Sequence, residues 1–301
     1  MNFNYCIASG AEPEELSAKY VDQESAFKGG ECIFPGGYAQ ITDALAKGLK
    51  VKLSTEVTEI DYTGPKVKVR TSSGRWLTAD QVVLTVPLTI LRTLTFKPAL
   101  SPAKQTALSR MGVGILDKLY LEFDRCFWNP GADWLIRVDS EWTYSMNCLK
   151  HNTGKPILLL FTHGAQSKRL AELSDGQVVA SALAALKGMY PEAPTKCKSF
   201  LRTNWLKDRH AQMSYSFLPP GGSPRDYETL AESVGSLHFA GEHTHFEFQG
   251  CTQAAYLSGL RAAQAVIRAK CRKASKRIKR DDGKKKKKTG PIRLKPRRSR
   301  S

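Results

Sequence analysis

The stretch from residue 237 to residue 263 constrains this chain more than any other. Leu237-His238-Phe239-Ala240 reads as a short buried strand, and Gly241 as a tight turn where a side chain would clash. From Thr252 onward the spacing predicts a helix, with Ala255, Leu257, Ala262 and Val266 set for a packed face. Strand, glycine turn and small-residue helix together make a device for an anion or a dipole, because the helix's first N–H groups have no acceptor within it. Many α/β proteins carry such a unit, so its surroundings must decide what it serves.

A length of 301 residues allows a large core in one domain or two. No run approaches a membrane-spanning length, and the polar opening Met1-Asn2-Phe3-Asn4-Tyr5 lacks the design of a signal peptide. No membrane partner is expected. The seven cysteines are scattered without a CxxC pair and read as reduced thiols of an intracellular protein, cytoplasmic or nuclear. Charge is segregated. Residues 268–301 hold 18 Lys and Arg against Asp281 and Asp282, so +16 of the net +18 lies there and the body carries +2. With few apolar residues, 269–301 reads as a disordered basic tail. Such a tail neutralises phosphates, which makes nucleic acid or chromatin its expected partner and nuclear localisation its expected signal. A solvated extension without function is the alternative.

Along the chain, Pro13-Glu14-Glu15-Leu16 begins a short helix, and 32–38 ends a strand in a glycine turn. A helix from Ala39 to about Lys47 has Ile41, Leu45 and Leu49 on its apolar side. Alternation predicts a strand over 51–60, a meander through 67–71 and 76–78, and a strand over 81–87 that is covered on both faces. Ser101 caps a helix that runs to about Met111. Residues 115–123 form a strand on which Lys118, Tyr120 and Glu122 share a face. Strands follow at 142–146, 156–162 and 198–206, with a helix over 175–189.

Spacing alone makes Lys118 a solvated strand residue, and Val57 and Trp205 parts of a core. His243, His245 and Cys251 lack a second ligand cluster, so no metal site is expected.

Ala240-Gly241-Glu242-His243-Thr244, followed by Ala255-Tyr256-Leu257-Ser258-Gly259, resembles the C-terminal flavin-binding signature of the flavin amine oxidases. That family includes polyamine oxidases, monoamine oxidases and lysine-specific histone demethylases. Gly112-Val113-Gly114 before Lys118, and Phe127-Trp128 after it, extend the likeness, which covers about residues 16 to 268.

The resemblance implies an α/β fold of two interleaved parts. Residues 30–92 and 230–268 would form an FAD-binding part with a parallel sheet and βαβ character. Residues 93–229, with 1–29, would form a substrate part of mixed sheet and helix. Lys118 then holds a water at the flavin N5, a role suited to a desolvated lysine. Trp205 packs beside the ring, while Tyr215 and Cys251 wall an aromatic cage for the amine. The backbone of Val57 meets the adenine end, Gly241 makes the turn, Glu242 lies near the ribityl chain, and the Thr252 N–H faces the pyrimidine edge. Ser214 stands where monoamine oxidases carry the cysteine bonded to their flavin, so FAD here would be non-covalent.

The implied activity is oxidation of an amine, above all a polyamine, to an imine and then an aldehyde, with O2 reduced to H2O2. Two other readings stay open: a demethylase-like enzyme acting on methyl-lysine, and an inactive fragment with a nucleic-acid-binding tail. Departures keep the second alive. Cys251 replaces a cage tyrosine, Gln253-Ala254-Ala255 replaces His-Gly-Ala, and the chain contains no G-x-G-x-x-G turn.

Overall fold

The computed structural model describes residues 3–21, 23, 25, 29, 34, 36–137, 142–149 and 154–288, with 3–4 and 272–288 as helical backbone alone. The first half of the chain runs through α1 (Phe3–Ser9), α2 (Ala39–Ala46), β1 (Val57–Asp61), β2 (Val67–Thr71), β3 (Trp76–Ala79), β4 (Val82–Leu84), α3 (Leu88–Thr93), β5 (Thr95–Lys97) and α4 (Pro102–Arg110). Then come β6 (Gly112–Gly114), β7 (Leu116–Glu122), β8 (Trp134–Ile136), β9 (Tyr144–Asn147), β10 (Ile157–His163), α5 (Gly164–Ala171) and α6 (Asp175–Met189). β11 (Ser199–Arg202), β12 (Tyr215–Phe217), α7 (Pro224–Ala231), β13 (Leu237–Phe239) and α8 (Thr252–Lys288) close it.

Helix starts are written in the sequence. The Ser101 side chain accepts from Lys104 N–H at 3.3 Å with Pro102 in the first turn, and Ser174 and Gln177 form a capping box ahead of α6. The strands assemble as sheets ordered β3-β2-β1-β5 and β11-β7-β10-β9-β8, with two-stranded β12-β6 and β13-β4. The pairs β1–β5 and β4–β13 are parallel. Two cores result. One gathers Ile60, Leu88, Tyr227, Leu237 and Phe239; the other gathers Leu119, Leu121, Leu160, Val178 and Leu186. This is the expected α/β class.

Several expectations need correction. The strand expected over 51–60 starts only at Val57, and Val51 and Leu53 are 64% and 83% exposed. The apolar side of α2 is bare as well, with Ile41, Leu45 and, after the helix, Leu49 all exposed. Val83 of β4, expected to be covered on both faces, is exposed too. The reason is shared: a strand needs a neighbour and an apolar stripe needs a cover, and among the described residues neither is there. Within 93–229, Leu100, Leu108, Ile115, Met213 and Tyr227 pack into the first core and Leu119 through Ala193 supply the second. Finally, α8 continues as helix through 269–288, where disorder was expected. Lysine and arginine are good helix formers, and a helix already anchored by packing extends at low cost. Residues 289–301 lie outside those described, as does most of the strand end expected at 32–35.

Candidate functional site

Lys118 stands mid-strand on β7, whose residues alternate between a covered and a more open face. Asp117, Leu119 and Leu121 are buried, while Lys118, Tyr120 and Glu122 are partly open. The register sets Phe161 of β10 opposite Lys118, and Tyr144 of β9 beside Phe161. Trp134 of β8 lies against Phe161 with ring centres 5.7 Å apart. Lys118 therefore rises half-buried from an aromatic sheet face. Burial lowers its pKa, and no described carboxylate offsets that shift.

Two polar links tie other candidates to this strand. Thr203 Oγ1 accepts the Lys118 N–H at 2.8 Å and donates to Asp117 Oδ1 at 2.8 Å. The same carboxylate oxygen accepts the Trp205 N–H at 3.0 Å. Trp205, 38% exposed, is thus fixed from beneath Lys118. Burial pushes the Asp117 carboxyl up, opposed by those two donors. On the other side, Ser214 Oγ accepts Leu116 N–H at 2.8 Å and donates to Leu116 O at 3.0 Å. Its hydroxyl is spent on holding the start of β7.

The signature stretch is built around Gly241, at φ 120°. Its N–H donates to Ser258 Oγ at 2.8 Å, and Ser258 donates to Ala255 O at 2.8 Å, locking the turn to α8. A Cβ on Gly241 would come within 2.5 Å of the His243 ring, so both conformation and space demand glycine. Glu242 is half-buried, and its carboxylate accepts from Ser216 N–H (3.0 Å), Ser216 Oγ (2.7 Å) and Gly250 N–H (2.9 Å). Desolvation raises its pKa while these donors pull it down. Arg261 donates to Phe239 O at 3.1 Å, and to Thr244 O at 3.0 Å and Thr244 Oγ1 at 2.8 Å. Gly250 sits against the Tyr215 ring, where a Cβ would be 3.4 Å away, and the Tyr215 hydroxyl donates to Ile7 O. Cys251 follows directly, and Thr252 opens α8.

Gly241, Glu242, Tyr215, Cys251 and Thr252 are thus one cluster. β12 pairs with β6, which leads into Lys118, and Asp117 brings in Trp205. Val57 stands apart at the head of β1 and packs against the core that contains Phe239. The internal hydrogen bonds of Glu242 make it an organiser of the turn. Sequence reasoning missed Asp117, Thr203, Ser216 and Ser258, and also the aromatic partners Phe161, Tyr144 and Trp134. Strand alternation could have placed Phe161 on a face, but not opposite Lys118. A half-exposed indole, a tyrosine ring, a half-buried lysine and the open first turn of α8 suit a planar heteroaromatic group with polar edges.

The family model described as "Flavin containing amine oxidoreductase" matches residues 4–267. The chain belongs to the flavin-containing amine oxidoreductases. Lysine-specific histone demethylase 2 of Homo sapiens is 33% identical over 282 residues, covering 87% of this chain and 34% of the relative. Polyamine oxidase 2 of Arabidopsis thaliana is 36% identical over 260 residues, covering 84% of this chain and 52% of the relative. In fold, the chain is similar to cyclohexylamine oxidase from Brevibacterium oxydans IH-35A, with a TM-score of 0.76 and 21% identity over 88% of this chain and 62% of that one. The chain spans about half the length of the polyamine oxidase it matches and a third of the demethylase. FAD, the cofactor that the signature stretch implied, is supported by membership of this flavin-containing family. Its ring end would be held by Trp205, Tyr215, Lys118 and the start of α8. The phosphate-binding G-x-G-x-x-G turn is not in this sequence.

Proposed function

We propose that this chain supplies the amine-facing part of an FAD-dependent oxidase, with a polyamine as substrate. The observation that carries it is Lys118, half-buried on an aromatic sheet face without a carboxylate partner among the described residues, and linked through Thr203 and Asp117 to Trp205. FAD, when bound, accepts the two electrons lost by the amine and returns them to O2 as H2O2. The Tyr215 ring and the wall of Phe161 and Tyr144 orient the amine and exclude water from it. Lys118, with its lowered pKa, holds a water at its Nζ and hands protons through it. The resulting imine is hydrolysed to an aldehyde.

Likeness to a polyamine oxidase supports the polyamine. A methyl-lysine substrate is the second reading, supported by likeness to a histone demethylase and by the small Cys251, which follows the Gly250 that sits against Tyr215. The test is H2O2 release by the FAD-loaded protein with spermine and spermidine against a dimethyl-lysine peptide. Faster turnover of the peptide would reverse the substrate assignment, and silence on every amine would overturn the enzyme reading. Lys118→Met is expected to lower kcat/KM by about 100-fold while the protein still retains flavin. An unchanged rate would remove Lys118 from the reaction.

A further inference from the structure

We propose that the part of α8 beyond Arg268 is a basic helical arm that lies in the major groove of duplex DNA. The inference does not depend on the amine chemistry. The helix begins at Thr252 in the candidate site and is seated on the body by Ala254, Ser258 and Ala262, buried at every fourth residue. Past Ala262 no described residue of α8 is fully buried, and Arg268, Lys270 and Cys271 are exposed. The helix nonetheless continues to Lys288.

Charge names the partner. Residues 268–288 carry 13 Lys and Arg against Asp281 and Asp282, on a body of net +2. A helix of this length spans about 30 Å, close to a full turn of B-form DNA. Turning about 100° per residue, positions 271, 274, 275 and 278 share one side of the helix, and by sequence they are Cys, Ala, Ser and Ile. The basic positions 268, 270, 272, 273, 276 and 277 fall on the remaining arc, flanking that stripe on both sides. Over residues 268–280 this gives a narrow neutral side with cations to its left and right, which matches a groove floor between two phosphate walls; in the last two turns Asp282 and Lys285 fall on that same side. B-DNA's major groove is about 12 Å wide and admits a helix, whereas the A-form RNA groove is too narrow. The stripe has no bidentate base-reading residue, so binding is sequence-independent, driven by counterion release.

The test is fluorescence anisotropy of the full chain with a 30-base-pair DNA duplex over a salt series. Affinity is expected to fall about a thousandfold between 50 and 200 mM salt. Changing Arg272, Lys273, Lys276, Arg277, Lys279 and Arg280 to Gln preserves helix propensity and is expected to weaken binding at least ~100-fold and flatten the slope. An unchanged affinity would overturn the assignment. Ala274→Pro keeps every charge but breaks the helix, and is expected to cost about tenfold. No loss, or equal affinity for duplex RNA, would sink the groove geometry. Tighter capture by phosphatidylserine vesicles than by DNA would replace the partner altogether. Thermal melting of each variant checks that the body is intact.

Discussion

Replacing Lys104 by methionine is expected to lower the unfolding free energy by about 3–5 kcal/mol. Lys104 on α4 is only 2% exposed, yet it carries an ammonium. That ammonium donates to the carbonyls of Thr229, Leu230 and Glu232, the last two at 2.9 Å, where α7 ends. Terminal carbonyls of a helix have no partner of their own and carry its negative dipole end. A cation from a neighbouring helix answers both needs. Its Nζ also lies 4.2 Å from the centre of the Phe239 ring, two residues before the Gly241 turn. Burial pulls its pKa down to about 8, so the charge is retained at neutral pH. Methionine fills the same space but leaves the carbonyls dry. Urea unfolding should show a lower midpoint with an unchanged slope. A loss under 1 kcal/mol would mean that water reaches the helix end.

Acid is expected to cost the fold about 3 kcal/mol through His243 alone as pH falls from 6.5 to 4. The imidazole is buried beneath Gly241, and its pKa is lowered to about 4, first by desolvation and then by Arg261 and Arg92. The unfolded chain takes up a proton near 6.5 that the folded chain refuses until about 4. Within that window the unfolded state binds more protons, so stability falls as pH falls. The contribution is fully present above 6.5 and lost on the way to 4. His163, His238 and His245 are shifted the same way by burial, so a difference measurement is needed. Stability of the parent and of His243→Gln, followed from pH 7.5 to 4, should converge as the parent loses its advantage. Parallel curves would assign the acid sensitivity to other groups.

The elements that guide this site differ in how far the sequence discloses them. The β13 strand, the Gly241 turn and the start of α8 are local. Their cues, an apolar run, a glycine and small residues at helical spacing, lie within a few residues of one another. The β7 strand is equally open to reading, because its alternation is strict. What brings Phe161 opposite Lys118 is register, set by pairing across more than forty residues and encoded nowhere in either strand alone. The Asp117–Thr203–Trp205 link is hidden for the same reason. Glu242 shows another limit. Resemblance gave it a place near the cofactor but said nothing of Ser216, 26 residues before it, which together with Gly250 takes up its carboxylate. α2 shows a third limit, since periodicity reports which side of a helix is apolar and not whether anything covers it.

That uncovered side shapes the fate of the chain in a cell. Ile41 and Leu45 on α2, Leu49, Val51 and Leu53 after it, and Tyr256, Leu260 and Ile267 on α8 are large apolar side chains left in water. Holdase chaperones and quality-control proteases select their clients by such surfaces. Steady-state abundance of this polypeptide should therefore follow the supply of whatever masks them more closely than its own rate of synthesis.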